Sequence, residues 1–112
     1  MAVNDVISDF QSASANSDTV VQPASGDQWC IFHLNGNTNN IDFYLHDGSN
    51  YHQISGPGSN VFDQSFGSRN DIYGMATFVV QRQLILTNAF KAKFVDASDA
   101  YTIWWSGFKT HD

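Results

Sequence analysis

The chain has 112 residues, a formal net charge of −6 at pH 7 and 14% charged residues, with eleven Asp and no Glu. The length predicts a single domain. Because Glu and Leu are scarce while Asn, Ser and Gln are abundant, the composition excludes long helical architectures. No apolar run approaches the roughly 18 residues of a membrane-spanning helix, so no membrane partner is predicted. The negative charge argues against a nucleic-acid partner.

The first 18 residues differ in pattern from the rest of the chain. Val3, Val6, Ile7 and Phe10 have the spacing of one helical face, and a Ser/Ala/Asn-rich stretch follows them. We predict an N-terminal arm over residues 1–18 whose apolar spacing allows a short helix. Such a helix is stable only against a partner, so these four residues are the candidate docking residues. The alternative is a frayed tail with accidental periodicity.

From residue 19 onward, apolar and polar residues alternate, and turn signals interrupt them at short intervals. The predicted strands cover residues 19–22, 28–34, 41–46, 51–54, 61–66, 71–80, 84–87, 90–95 and 101–108. Eight or nine short strands at this spacing are typical of a sandwich or small barrel. We therefore predict an all-β fold, an antiparallel and jelly-roll-like β-sandwich over residues 19–112.

The last predicted strand has large aromatic side chains on both faces. Tyr101, Ile103 and Trp105 share the face that we assign to the core, while Trp104 and Phe108 share the other. Leaving two large aromatic side chains in water forgoes roughly 1.5–3 kcal/mol for each. We predict that Trp104 and Phe108 lie in a subunit interface. The alternative is that a loop of the same chain covers them.

The residues that usually carry chemistry do not form a recognisable constellation. Cys30 is the only cysteine and has apolar neighbours, so it is predicted to be buried and no intrachain disulfide is possible. A four-residue hairpin loop at 47–50 pairs His46 with Tyr51, and Leu45 with His52. The two histidines then point to opposite faces and cannot share a metal ion. Common catalytic and phosphate-binding motifs are absent. We predict no enzyme activity, cofactor or metal.

A carbohydrate-binding module is the rival interpretation. Such modules are β-sandwiches with exposed aromatic side chains surrounded by polar ones. Trp104, Tyr44, Tyr51 and His46 are the residues that would form a sugar-binding platform. The two interpretations differ in whether these aromatic side chains lie exposed on one face or are covered by another subunit.

Two segments carry a resemblance to a known family. Residues 20–31, VVQPASGDQWCI, and the region from 84 to 108, which ends in YTIWWSGF, resemble the opening and closing strands of small β-sandwich virion proteins of tailed bacteriophages. These are decoration (cement) proteins of phage heads and related head-fibre or tail-appendage modules. The resemblance implies a structural protein, commonly a homotrimer, that binds the major capsid protein. It transfers no catalytic residues.

The same resemblance implies a location. A decoration protein lies on the outer capsid surface of the virion after synthesis in the host cytoplasm. The N-terminus has neither a basic region nor an apolar core of a signal peptide, which agrees with this expectation. The long Asn-rich loop at 35–40 and the Trp104-Trp105 pair depart from the family pattern.

Overall fold

The fold is an all-β sandwich of two antiparallel sheets. A computed structural model describes residues 5–38, 40–55, 67–72 and 75–111, with side chains described for these except 55, 67–72, 75–83 and 111. The strands are β1 (Val6–Ala13), β2 (Thr19–Val21), β3 (Gln28–Gly36), β4 (Ile41–His46), β5 (Tyr51–Ser55), β6 (Gly67–Ile72), β7 (Met75–Thr87), β8 (Ala92–Asp96) and β9 (Tyr101–His111).

The strand order is that of a jelly roll. One sheet has five strands in the order β1-β9-β3-β7-β6, and the other has four in the order β2-β8-β4-β5. The chain alternates between the sheets from β1 to β4 and returns at β8 and β9, so the first strand lies beside the last. Strand β6 adds an outer edge to the five-stranded sheet. This confirms the predicted jelly-roll-like sandwich.

The core lies between the two sheets and contains alternate residues of each strand. Phe43 of β4 and Phe94 of β8 stack with ring centroids 4.9 Å apart. The inward faces of β3, β7 and β9 supply most of the remaining apolar contacts. The buried cluster comprises Ile7, Val21, Ile31, Leu34, Ile41, Phe43, Leu84, Leu86, Ala92, Phe94, Tyr101, Ile103 and Trp105.

The segment QPASGD forms the turn that carries the chain from one sheet to the other. The Asp27 amide donates to the Ala24 carbonyl at 3.0 Å, and Gly26 has φ 89°, a conformation that glycine adopts without strain. Asp27 then pairs with the buried Lys109 of β9, with Nζ and Oδ1 3.2 Å apart. The motif that carries the resemblance therefore has a structural role at one end of the sandwich.

Strands β3 and β9 approach each other very closely near Gly107. A Cβ atom at this position would overlap the Cys30 carbonyl oxygen, so the close approach requires glycine. Next to it, the β3 register shifts between Ile31 and His33, which marks a bulge at Phe32.

Two predictions of secondary structure need correction, one of a helix and one of two separate strands. The spacing of Val6, Ile7 and Phe10 indicated a helix, but residues Val6–Ala13 form strand β1, which pairs with β9 over eight positions. Segments 71–80 and 84–87 were expected as separate strands, whereas Met75–Thr87 is one continuous strand. The strand predicted at 61–66 lies outside the described residues.

Candidate docking face

The outer face of β1, β9 and β3 is built from directly opposed side chains. Val6 lies opposite Phe108 and Phe10 lies opposite Trp104. On the other side of β9, Asn35 of β3 lies opposite Trp104. We call this surface, on the outside of the five-stranded sheet, the docking face.

Large apolar side chains on the docking face are exposed. The exposed fractions are 79% for Val6, 62% for Phe10, 52% for Phe32 and 39% for Trp104. Phe108 is half-buried, and its ring centroid lies 5.2 Å from that of Phe32. These residues come from three neighbouring strands. They form two apolar rows, one with Val6, Phe108 and Phe32 and one with Phe10 and Trp104, on either side of a polar row that contains Ser8 and Ser106. Isolated exposed apolar residues, by contrast, are common on soluble proteins.

The bulge at Phe32 places an additional aromatic side chain on this face. It also places Cys30 and His33 on the same side of the sheet, opposite Phe108 and Ser106 respectively. A regular strand would have put Cys30 and His33, which are three residues apart, on opposite faces. Cys30 is 1% exposed, as predicted, and its burial raises the pKa of the thiol.

Among the described side chains that point outward from these three strands, the docking face has no Asp, Lys or Arg. Its outward residues are Val6, Ser8, Phe10, Ser12, Cys30, Phe32, His33, Asn35, Thr102, Trp104, Ser106 and Phe108. None of them is Asp, Lys or Arg, in a chain with a net charge of −6. Depletion of charge around exposed aromatic side chains is the compositional signature of the centre of a protein–protein interface.

A cleft of about 390 Å³ interrupts the docking face beside Trp104. Its walls come from β1, β9 and β3 and are formed by Ser8, Asp9, His33, Asn35, Trp104, Trp105 and Ser106. The Asn35 amide donates from Nδ2 to His33 Nε2 at 2.6 Å. Its Oδ1 is buried and has no hydrogen-bond partner among the described residues.

The candidate docking residues divide between two environments. Val6 and Phe10 are exposed on the docking face, beside the predicted interface residues Phe108 and Trp104. Ile7 is 4% exposed and belongs to the core of its own sandwich, so its assignment as a docking residue is wrong. Neighbouring strand residues point to opposite faces, which separates Ile7 from Val6. Val3 lies outside the described residues.

The edge of the five-stranded sheet next to the docking face is partly blocked. Strand β1 is an edge strand, and such edges can pair with a strand of another chain. The Phe10 amide donates to Asp9 Oδ1 at 2.8 Å, so one edge donor is already satisfied by the strand's own side chain. The Phe10 amide is therefore not free to pair with a strand of another chain at this point of the edge.

The sugar-binding platform expected from the sequence is not assembled as a whole. Tyr44, Tyr51 and His46 lie together on the outer face of the four-stranded sheet, where the His46 and Tyr51 ring centroids are 4.7 Å apart. Trp104 belongs to the other sheet, on the opposite side of the sandwich. The predicted pairing of His46 with Tyr51, and of Leu45 with His52, is confirmed.

Lys93 completes this second surface. Its Nζ lies 4.4 Å from the ring centroid of Tyr44 and 4.2 Å from that of Tyr51, which are cation–π distances. Burial raises the pKa of Tyr44, and the nearby carboxylates of Asp42 and Asp18 raise it further. The tyrosines are therefore neutral at physiological pH.

Neither a metal site, nor a membrane-spanning helix, nor a match to a known protein points to a function for the described residues. Among the described residues, no three His, Cys or Asp side chains are grouped so as to hold a metal ion, and no described helix is long and apolar enough to cross a membrane. No protein-family model and no curated protein matches the chain.

Sequence reasoning identified part of the docking face. It identified Val6, Phe10, Trp104 and Phe108, although it assigned them to two separate surfaces. It missed Phe32, together with the cleft residues His33 and Asn35. The available signal was the run of apolar residues at 29–32, which breaks the two-residue period and is typical of a bulge.

Proposed function

We propose that this protein is a structural component of a phage virion, a decoration (cement) protein that stabilises the head, and not an enzyme. The jelly-roll sandwich supplies a rigid body, and the docking face supplies a surface for another protein chain. The resemblance of residues 20–31 and 84–108 to phage virion proteins gives the proposal its biological setting. The partners are the major capsid protein and further copies of this chain, as the homotrimer of the resemblance implies.

The observation that carries the proposal is the set of exposed aromatic side chains on the docking face, with no Asp, Lys or Arg among its outward residues. Strands lie about 4.8 Å apart and rise about 3.3 Å per residue. The three strands of the docking face have 8 to 11 residues and therefore span on the order of 450 Å². One partner in a standard protein–protein interface contributes about 800 Å². The docking face thus supplies roughly half of one side of such an interface.

Particles that lack the protein test the proposed role. We expect such particles to assemble but to lose their genome at a lower temperature or after a milder osmotic shock than complete particles. Adding back the purified chain should restore their resistance. Particles of unchanged stability that no longer adsorb to cells would instead assign the protein to the tail or its fibres.

A second function, a carbohydrate-binding receptor-recognition module of a tail or fibre, is favoured by the surface around Tyr44, Tyr51 and Lys93. Tyrosine rings and polar side chains of both signs can bind the faces and hydroxyl groups of sugars. Replacing Tyr51 with Ala should abolish binding to host-cell glycans if this function is correct. The same variant should leave particle stability unchanged, because Tyr51 lies on the sheet opposite the docking face.

A further inference from the structure

The cleft beside Trp104 is a polar recess between the two apolar rows of the docking face. Neighbouring strand residues point to opposite faces, so Asp9, which lies opposite the core residue Trp105, turns inward with it. The outward side chains that line the cleft are Ser8, His33, Asn35, Trp104 and Ser106. They supply hydroxyl, imidazole, amide and indole groups and include no Asp, Lys or Arg.

The outward side chains of the cleft form a row of hydrogen-bonding groups beside an aromatic wall. Ser106 of β9 lies opposite Ser8 on one side and His33 on the other. Trp104 lies two residues along β9 from Ser106, about 6.6 Å at the rise of a strand, and is 39% exposed. The Asn35 amide donates from Nδ2 to His33 Nε2 at 2.6 Å, which holds these two side chains in place.

This arrangement suits a ligand that has an apolar face and a polar edge. A sugar ring has both, because C–H groups lie on its faces and hydroxyl groups project from its edge. The C–H groups are attracted to the electron-rich face of an indole ring. Serine hydroxyl groups donate and accept hydrogen bonds, as sugar hydroxyl groups do. The volume of about 390 Å³ is within the usual range for small ligands, about 300–1,000 Å³.

We propose that the cleft binds a neutral sugar ring, which stacks on Trp104 and forms hydrogen bonds with Ser8, Ser106 and the pair of His33 and Asn35. The inference is separate from the proposed docking function. Both functions use Trp104, so a sugar and a protein partner exclude each other at this face. The site is also separate from the tyrosine surface, which belongs to the other sheet.

Charge selects against other flat ligands. The outward lining has no Lys or Arg to bind a carboxylate or a phosphate group, and a chain with a net charge of −6 repels anions. Nucleobases also stack on aromatic side chains, but the same charge repels the phosphates of a nucleic acid. Acidic sugars are disfavoured for this reason as well, so the favoured ligand is an uncharged ring.

Titration of the full-length chain with the methyl glycosides of glucose, galactose, mannose and N-acetylglucosamine tests the proposal. The indole N–H signals of the three tryptophans are followed by NMR, and a Trp104→Phe variant assigns the Trp104 signal. We expect at least one glycoside to produce a saturable shift of that signal at roughly millimolar concentration. Tighter binding of an oligosaccharide than of its single sugar would identify a polysaccharide as the source of the ring.

A pair of serine variants provides the matched protein control. Ser106→Ala removes a hydroxyl group from the cleft, and we expect it to reduce the affinity for the sugar about three- to tenfold. Ser12→Ala removes the same group from the same face outside the cleft, where Ser12 Oγ is 2.8 Å from Thr102 Oγ1, and should leave the affinity unchanged. Amide spectra of both variants establish that the fold is retained.

Any of three results overturns the assignment. The first is the absence of a saturable Trp104 shift with all four glycosides up to about 50 mM. The second is equal affinity of wild type and Ser106→Ala together with a loss in Tyr51→Ala, which would move the sugar to the tyrosine surface. The third is tighter binding of methyl glucuronide, the acidic analogue of the glucoside, than of the glucoside itself.

The outcome for the cleft is distinguishable from the outcome for the docking function. The titration uses the isolated chain, so a negative result leaves the docking proposal to the particle experiments. Sugar binding without any effect of the protein on particle stability would retain the cleft assignment and reject the head-decoration role. If both proposals are correct, a glycoside that saturates the cleft should reduce binding of the chain to particles that lack it.

Discussion

At the scale of single residues, Tyr101 joins three segments of the chain. Its hydroxyl accepts a hydrogen bond from Thr19 Oγ1 at 3.0 Å and donates to the Ser17 carbonyl, with the Phe94 carbonyl 2.8 Å away. Burial raises the pKa of the Tyr101 hydroxyl, so it stays protonated as a donor. The residue fixes the start of β2 against β8 and β9.

The first prediction removes only this hydroxyl group. Tyr101→Phe should lower the free energy of unfolding by about 1–3 kcal/mol, because two or more buried polar groups lose their partner. Tyr44→Phe is the matched control on the outer surface and should change stability by less than about 0.5 kcal/mol. Urea denaturation measures both. Equal effects of the two substitutions would show that the Tyr101 hydroxyl does not hold these segments together.

Asp96 has a similar role in the loop that follows β8. Its carboxylate accepts hydrogen bonds from the Thr38 hydroxyl, from the Ser98 amide and hydroxyl, and from the Asp99 amide. Burial raises the pKa of Asp96, but these hydrogen bonds outweigh it, and the pKa lies below the ordinary value of 3.8. The ionised form therefore stabilises the folded state.

The second prediction follows from the lowered pKa of Asp96. A folded-state pKa below the unfolded value stabilises the protein above the unfolded pKa, and this contribution disappears as the pH falls through the folded pKa. The free energy of unfolding should therefore fall as acid is added below about pH 4. Asp96→Asn should make this fall shallower, and Ser98→Ala should do so partially. Identical pH profiles for all three proteins would contradict the account.

At the scale of elements, β1 shows what the sequence could not decide. The positions of Val6 and Phe10 fit one face of a helix and equally one face of a strand, since residues four apart share a face in both. Whether this segment forms a helix or a strand depends on its pairing with β9, about 95 residues further along the chain. Local periodicity contains no information about that partner.

Where local interactions determine the structure, the sequence was sufficient to predict strand register and the face on which a side chain lies. The hairpin of β4 and β5 has a four-residue loop, so its register followed from the turn, and the pairs His46–Tyr51 and Leu45–His52 are confirmed. The outward positions of Trp104 and Phe108 followed from alternation along β9. The cleft was unpredictable because it depends on the register of three strands and a bulge in one of them.

The third prediction tests whether residues 6–13 are a strand of the sandwich or an independent N-terminal arm. Ile7→Ala should lower the free energy of unfolding by about 2–5 kcal/mol, because Ile7 is buried in the core. Val6→Ala removes a side chain that is 79% exposed and should change stability by less than about 0.5 kcal/mol. Chemical denaturation of the two variants gives the comparison. An independent arm would make both substitutions equally harmless to the isolated domain.

At the scale of the whole molecule, the sandwich has two unlike outer surfaces. Strands β1, β9 and β3 present the aromatic docking face, whose described outward residues include no Asp, Lys or Arg. The four-stranded sheet presents tyrosines, lysines and carboxylates. The proposed arm and the proposed subunit interface are parts of the same surface, since Val6 and Phe10 lie opposite Phe108 and Trp104. One partner can therefore cover all four side chains, and a separate attachment arm is unnecessary.

The last prediction concerns that shared surface. Trp104→Ser should weaken binding to the particle at least about tenfold, because a partly exposed tryptophan near the centre of an interface often dominates its affinity. The midpoint of thermal unfolding of the isolated chain should change much less, since the side chain is 39% exposed. Phe90→Ser is the matched control, because Phe90 is 52% exposed outside the docking face and should leave binding unchanged. Quantitative binding to particles that lack the protein, together with thermal denaturation, measures both effects. Parallel losses of binding and fold stability in Trp104→Ser would place Trp104 among the residues that hold the sandwich together and remove it from the docking face.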